Sequence, residues 1–364
     1  MKIRLLCLTL AAAACGCTDN PASVRPQTRL TPAAGDAAAG AEAVTALTQN
    51  MYVGADLDIV IGALASPNPS DDIPALLGAI QTLEETDYPA RAGALAAEIA
   101  KARPHVVGLQ EVSRVDVDLT ALGLPTVLHL DFLGTLQDSL AARGLHYVTA
   151  GQVENIVARP VPGIGLVDYD AMLVDADRVT ITAAAGQNYT HNIGVVAPGI
   201  ELKRGWVDAQ VIINGAPYTF ASTHLESGQS AGFPELRAAQ AAELVGSLPT
   251  DQPAIVMGDL NDNPGTPMYQ VIAGGQFTDS WRALRPGAVG LTCCEPANLA
   301  NQIPTFDQRL DYVWVRGAGS LQGAITRIGD TPGDRVAGPA HPVWPSDHAG
   351  LVFSLLVAPG GTAR

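Results

Sequence analysis

Basic residues, aromatics and cysteines are all scarce in this 364-residue chain, and each scarcity removes a class of function. Lys and Arg number 21 against 36 Asp and Glu, for a formal net charge of -15. A protein that grips a nucleic-acid backbone without regard to sequence replaces counterions with Lys and Arg, and the basic clustering here stops at Lys203-Arg204. Charge therefore disfavours a polyanionic partner, although an acidic surface also serves solubility alone. Aromatics make up 5% of the chain, and no exposed apolar hairpin suited to membrane insertion stands out. Of five cysteines, Cys7, Cys15 and Cys17 lie near the N-terminus, leaving Cys293 and Cys294 for the body. Adjacent cysteines cannot staple distant segments, so no disulfide framework is expected, although a bond between the two suits an oxidising compartment. As a metal site the pair alone lacks further ligands.

Hydrophobic residues are plentiful at 47% and charged ones few at 16%, so the chain can bury a large core and is not of disordered composition. Lys2 and Arg4, the apolar run Leu5 to Ala14 and then Cys15-Gly16-Cys17 form the pattern of an export signal at 1–17. The run is too short for a transmembrane helix. A Cys after Ala-Ala-Ala is similar to a bacterial lipoprotein signal, with Cys15 or Cys17 as acceptor. The expected contact with a membrane is a lipid anchor, and the expected location is the cell envelope or the medium. Residues 18–43, rich in Pro, Ala, Thr and Gly, form a tether; a single catalytic domain fills 44–358, and 359–364 is a tail. A monomer is expected.

Apolar runs bounded by turn residues predict strands at Val44–Asn50, His105–Val112, His146–Val153, Asp170–Val174, Trp206–Ile213, Tyr218–His224, Ala254–Leu260, Leu310–Val315 and Gly350–Leu356. Asn214-Gly215 marks a hairpin. Helical spacing appears at Tyr88–Lys101, Phe132–Ala142 and Glu235–Ser247. The class is α/β with part of the sheet antiparallel. The segments Gly54–Asp87, Glu154–Val167 and Gly287–Gln308 read as loops that set substrate choice.

Polar residues at strand tips are held rigidly yet open to ligand. Five segments qualify: Thr48-Gln49-Asn50, Leu109-Gln110-Glu111-Val112, Thr223-His224-Leu225, Gly258-Asp259-Leu260-Asn261 and Ser346-Asp347-His348. Glu111 follows an apolar stretch, and a carboxylate there is costly unless a cation or donor meets it. Magnesium, or manganese, suits one or two carboxylates with water and a substrate oxygen. Asp259 and Asn261 alternate along a strand end and face one pocket, and His348 is the leading acid/base candidate because imidazole titrates near neutrality.

Together with Leu310-Asp311-Tyr312, these segments resemble, in order and spacing, the endonuclease/exonuclease/phosphatase superfamily. The resemblance implies a four-layer sandwich, with two mixed β-sheets packed face to face and helices outside. It also implies a metal-dependent phosphoesterase in which Glu111 is the principal metal ligand, with Asn50 and Asp347 at the same site. Asp259 orients or activates the attacking water, and Asn261 and Arg204 meet the phosphate. His348 is expected to pair with Asp311, and His224 with Asp170; either His348 or Asp259 takes the water's proton. His105, His129, His146, His191 and His341 are read as structural, with His105 standing where relatives commonly carry Asp. Arg237 and Gln240 are expected to brace the loop after His224. The substrate is a phosphate ester; an unspecific extracellular nuclease, a sphingomyelinase-like phospholipase and a lipid-anchored binding protein are the alternatives.

Overall fold

A computed structural model describes residues 42–357 apart from residue 69. The expected signal, the tether up to residue 41 and the tail lie outside the described residues. The chain runs through β1 (Glu42–Asn50), α1 (Leu57–Ala65), α2 (Asp72–Thr86), α3 (Tyr88–Ala102), β2 (Val106–Gln110), β3 (Arg114–Asp118), β4 (Val127–Asp131) and α4 (Phe132–Ala141). Next come β5 (Tyr147–Val161), β6 (Ile164–Asp175), β7 (Val179–Asn188), β8 (Gly194–Ala197), β9 (Ile200–Leu202), β10 (Gly205–Ile213), β11 (Ala216–His224) and α5 (Phe233–Ser247). It ends with β12 (Ala254–Asp259), α6 (Pro267–Gly274), β13 (Thr278–Asp279), α7 (Ser280–Leu284), β14 (Asp311–Arg316), β15 (Gly323–Ile328), β16 (Val336–Ala337), β17 (Pro342–Val343) and β18 (Gly350–Val357).

Two large mixed sheets result. The first has the order β15-β18-β1-β2-β6-β5-β9-β8, with β3 paired to β6 and β4 to β3; the second has the order β13-β14-β12-β11-β10-β7. Strand alternation explains how they stack. In β2, Val106 points into a core shared with Phe220, Ile255, Met257 and Val313 of the second sheet, whereas Val107 and Leu109 point the other way, onto Leu95 and Leu136 of α3 and α4. In β12, Ile255 and Met257 enter the shared core while Ala254 and Val256 meet Leu244 of α5 and Ile272 of α6. Strands covered on both faces read as continuous apolar runs, which is why β2 and β12 were visible in the sequence. The α/β architecture with two face-to-face sheets and outer helices is the one the sequence implied.

Two of the three expected loops are regular structure instead. The segment Gly54–Asp87 contains α1 and α2, whose inward apolar residues, Leu57, Ile61 and Leu64 in α1 and Leu76, Ile80 and Leu83 in α2, recur at helical spacing, so the period was present in the sequence. Glu154–Val167 is the hairpin of β5 and β6, whose register shifts between Glu154 and Ile156 and between Ala158 and Val161 break the alternation. Residues 287–308 stay largely irregular.

Candidate functional site

Strand register assembles the site. His224 pairs with Asp259 across the parallel β11–β12 ladder, and Asp259 pairs with Asp311 across the antiparallel β12–β14 ladder. Three polar residues thus stand in a row at one edge of the second sheet. In the first sheet Asn50 pairs with Gln110 at the ends of parallel strands β1 and β2, one residue before Glu111, and His348 lies two residues before β18. A Cβ on Gly258, whose φ is +147, would overlap the Thr223 carbonyl oxygen, so only glycine lets β12 approach β11 beside the site. Glu111 and Asn261 adopt left-handed backbone, φ 55 and 51, and such conformations concentrate where a side chain must be aimed.

Asp259 is the hub. Its Oδ1 accepts from the Asn261 amide at 2.9 Å and its Oδ2 from Asn50 Nδ2 at 3.1 Å. Two imidazole Nε2 atoms flank the same Oδ2, that of His224 at 3.6 Å and that of His348 at 3.7 Å. His348 Nδ1 lies 2.7 Å from Asp311 Oδ2, which fixes the tautomer and leaves Nε2 facing Asp259. Burial alone would lower the His348 pKa, but Asp311, then Asp259 and Asp347, outweigh it and hold the ring well above its ordinary value. His224 is driven the opposite way by burial, by Arg204 and by His348. Burial raises Asp259, against the pull of His348.

Asn50 also donates Nδ2 to Glu111 Oε1 at 2.9 Å, and its Oδ1 accepts from the Tyr52 amide at 2.9 Å. Oδ1 is the atom that would ligate a cation, and it keeps a second lone pair for one; through Nδ2, Asn50 also braces Glu111 against Asp259. Glu111 Oε2 accepts from the Val53 amide at 2.8 Å. Asp347 is half-buried; the loss of solvent around its carboxylate raises its pKa to about 7, opposed by His348 and reinforced by Glu111. Its one side-chain hydrogen bond in the site comes from Ser346 Oγ at 3.4 Å. Glu111 raises the proton affinity of the neighbouring Asp347, and two carboxylates placed so fit a hard divalent cation, which removes the repulsion. Among the described residues Asp259, Asp311 and His348 also come close enough to share an ion, but Nδ1 of His348 and one oxygen of Asp311 are bonded to each other at 2.7 Å.

Two expectations are corrected. His224 does not pair with Asp170: its Nδ1 faces Arg204 Nη1 at 3.1 Å, and neither side-chain oxygen of Asp170 has a well-formed partner. Asp170 is wholly buried beside Asp168, and burial and that neighbour raise its pKa well above the ordinary carboxylate value, which weakens it as a counter-ion for an imidazole. Arg204 does not present a free guanidinium to a phosphate. Its Nε lies 3.2 Å from Glu226 Oε1 and its Nη2 3.4 Å from Ser227 Oγ, so it is a buried brace. Asn261 gives one amide hydrogen to the Leu225 carbonyl at 3.0 Å and keeps a second for a ligand. Gln240 accepts from the Glu226 amide at 3.0 Å, and Arg237 donates to the Glu226 and Gly228 carbonyls at 3.2 and 2.9 Å, bracing the loop as expected.

Arg91 escaped the sequence reading. Fully buried on α3, it donates to the carbonyls of Thr86, Met51, Tyr52 and Pro345 at 2.7–3.2 Å, clamping the chain just after Asn50 to the chain just before Asp347. Its signal was an arginine on the apolar stripe Tyr88, Ala92, Leu95, Ile99, where a solvated residue does not belong.

With the geometry in place, comparison with known proteins adds the following. The model of the Endonuclease/Exonuclease/phosphatase family matches residues 47–348. Among curated proteins no match is found. Similar solved structures include an endonuclease/exonuclease/phosphatase family protein from Bacteroides thetaiotaomicron, at 16% identity, covering 87% of this chain and 96% of that one, with TM-score 0.57. Another, from Beutenbergia cavernae, shares 22% identity over 88% of this chain and 72% of that one, with TM-score 0.56. A mannosyl-6-phosphatase from Bacteroides thetaiotaomicron shares 17% identity over 86% of this chain and 100% of that one, with TM-score 0.54. At these identities the likeness is one of fold.

Proposed function

This chain belongs to the endonuclease/exonuclease/phosphatase family, and we propose that it is a divalent-metal-dependent hydrolase cleaving a phosphodiester or phosphomonoester by in-line attack of water. Members of the family are mostly hydrolases of phosphate esters. One observation carries the reading: two Nε2 atoms flank a single carboxylate oxygen, Asp259 Oδ2, at 3.6 and 3.7 Å, and Asn50 ties that carboxylate to Glu111. A hard cation held by Glu111 and Asp347, magnesium or manganese, supplies Lewis-acid polarisation of a phosphoryl oxygen.

The side chains divide the proton transfers. Asp259, its proton affinity raised by burial, receives the proton of the water whose oxygen forms the new bond to phosphorus. His348, kept protonated by Asp311, neutralises the phosphoryl oxygens and gives its Nε2 proton to the departing oxygen as the old bond breaks. Neutral His224 and the free amide hydrogen of Asn261 hold the remaining oxygens. The site works outside the cytoplasm in this proposal, a reading supported by the export-like pattern of residues 1–17; among the described residues no helix is long and apolar enough to cross a membrane.

A substrate panel tests the proposal: a bis-aryl phosphate, a sugar monophosphate, phospholipid, RNA and plasmid DNA, each with magnesium and with chelator. Chelator-sensitive cleavage of at least one is expected, and Glu111→Gln should raise the magnesium concentration needed for half activity by about tenfold or more. Turnover that survives the chelator removes the metal from the mechanism. Plasmid intact after long incubation removes a nuclease, which the net charge of -15 already disfavours.

A further inference from the structure

Cys293 and Cys294 lie far from the other cysteines in sequence but against His348 in space. They form a disulfide with each other. Cys293 is buried and bridges in antiparallel fashion to both Gln308 and His348, while Cys294 is open to solvent. Cys294 Sγ is 3.9 Å from His348 Nε2, the same nitrogen that faces Asp259. The segment is wired to the His348–Asp311 pair from both sides. Thr292 Oγ1 accepts from the Leu310 and Asp311 amides, each at 3.1 Å; the Ala349 amide donates to the Thr292 carbonyl at 2.8 Å and the Glu295 amide to the Asp347 carbonyl at 2.9 Å. Sequence alone left this pair without a third ligand. The fold supplies one, since the two sulfurs and a His348 ring nitrogen all lie within 4.8 Å of one another.

We propose that Cys293 and Cys294 in the dithiol form, together with Nε2 of His348, are a binding site for a thiophilic cation of the zinc(II) type, and that filling it withdraws His348 from the reaction. Two thiolates and an imidazole are a zinc donor set, with bond lengths of about 2.0–2.3 Å, so a separation of 3.9 Å between Cys294 Sγ and His348 Nε2 needs only a small closure. The site does not exist while the sulfurs are bonded to each other, because a disulfide sulfur is neutral and a poor ligand. It opens by exchange with a dithiol reductant: the reductant's two thiols become a cyclic disulfide, and their two electrons and two protons pass to Cys293 and Cys294. Zinc then displaces three protons, one from each thiol and the one on Nε2 of His348, and takes the lone pair so freed at Nε2, the position from which the departing oxygen would be protonated. Magnesium, a hard ion, does not compete for sulfur. The inhibitory half of the proposal rests on the catalytic reading of His348; the binding half does not.

The test uses the full chain with magnesium in excess, reduced by a dithiol that is then removed without air, against the untreated chain. Zinc is titrated in competition with a chromophoric chelator. The reduced chain is expected to hold about one zinc more than the oxidised chain, and Cys293→Ser/Cys294→Ser, treated alike, should show no such gain. Cysteines 7, 15 and 17 are present in both, so the difference reports the pair. Should the double variant misfold by circular dichroism, Cys294→Ser alone serves. His348→Ala should weaken the extra zinc by about tenfold or more. Equal zinc uptake by oxidised and reduced chains, or by wild type and serine variant, overturns the site, and an extra zinc unaffected by His348→Ala overturns the third ligand. Zinc on the reduced chain should lower turnover of the best panel substrate by about tenfold or more, reversed by chelation. Extra zinc with undiminished turnover overturns the inhibition. A chain that hydrolyses nothing when oxidised fails the proposed function instead, and the zinc count still decides the site.

Discussion

The two sides of Asp259 carry the same side chain in opposite electrical states. On one side His348 leans on Asp311 at 2.7 Å and is held above its ordinary pKa; on the other His224 meets Arg204 at 3.1 Å and is pushed below it. Both rings are buried, so burial does not distinguish them. The partner at Nδ1 does: a carboxylate favours imidazolium and a guanidinium forbids it. Neighbours that drive like groups apart are a means of assigning acid and acceptor roles within one cleft. Arg204 is itself kept charged against burial by Glu226, Asp168 and Asp170, so the neutrality of His224 is imposed by a charge network three residues deep.

The comparison breaks most visibly through truncation. His348→Ala should lower turnover of a bis-aryl phosphate by a factor on the order of hundreds or more, because it removes a proton donor and a positive charge together. His224→Ala, which removes a neutral donor, should cost about tenfold to a hundredfold. Equal losses would mean that the two rings do the same work. Asp311→Asn sharpens the point. It keeps the shape and removes the charge, and should depress the rate and move the alkaline limb of the pH profile to lower pH without changing the thermal midpoint by more than about a few degrees.

What the sequence disclosed and what it hid divide along the same line. Strands covered on both faces, such as Val106–Gln110 and Ala254–Asp259, are legible because burial writes itself as apolar runs. The polar tips Glu111, Asp259 and His348 follow directly, since a charged residue ending such a run needs a reason. Pairings across strands are not written locally. The His348–Asp311 contact joins residues 37 apart and was inferred from a motif; the same kind of inference gave His224 the wrong partner, because Arg204 and Asp170 both lie within reach of that part of the fold and only register decides between them. The bracing role of Asn50 was hidden for a related reason: which way its amide is turned depends on the Tyr52 amide two residues on, a backbone detail no composition carries. Arg91 was legible in principle, as a charge on an apolar stripe.

A smaller effect isolates the His224 side. Arg204→Met keeps the packing volume of a buried long side chain and removes the guanidinium. The His224 pKa should then rise, since a neighbouring positive charge no longer opposes protonation, and imidazole resonances followed by NMR would show it. The rate should fall only about severalfold at neutral pH, and further as the pH drops and His224 charges. A His224 titration unmoved by the substitution would place the cause in burial alone and dissolve the contrast between the two rings.

The smallest effect lies outside the cleft and asks whether the same rule governs a third histidine. His105 Nδ1 accepts from the Thr45 amide at 3.1 Å and lies 2.7 Å from Thr45 Oγ1. Burial first, and Arg178 second, hold its pKa down to about 4 from 6.5, against a weaker pull from Asp175. The folded chain thus resists a proton that the unfolded chain accepts below about pH 6.5. Its contribution to stability is complete above that pH and drains away as the pH falls towards 4. His105→Asp keeps an acceptor for the Thr45 amide and faces Arg178 with a carboxylate that stays ionised through the window. The substituted chain should lose less stability between pH 6.5 and pH 4 than wild type, by on the order of 1 kcal/mol once the partial exposure of Arg178 is discounted. Urea melts of both chains at the two pH values measure it, the relevant quantity being the change in each chain's own midpoint. Parallel losses would show that His105 is already free to charge in the folded protein, and that a cationic neighbour suppresses protonation only where, as at His224, the surroundings on every side are closed to water.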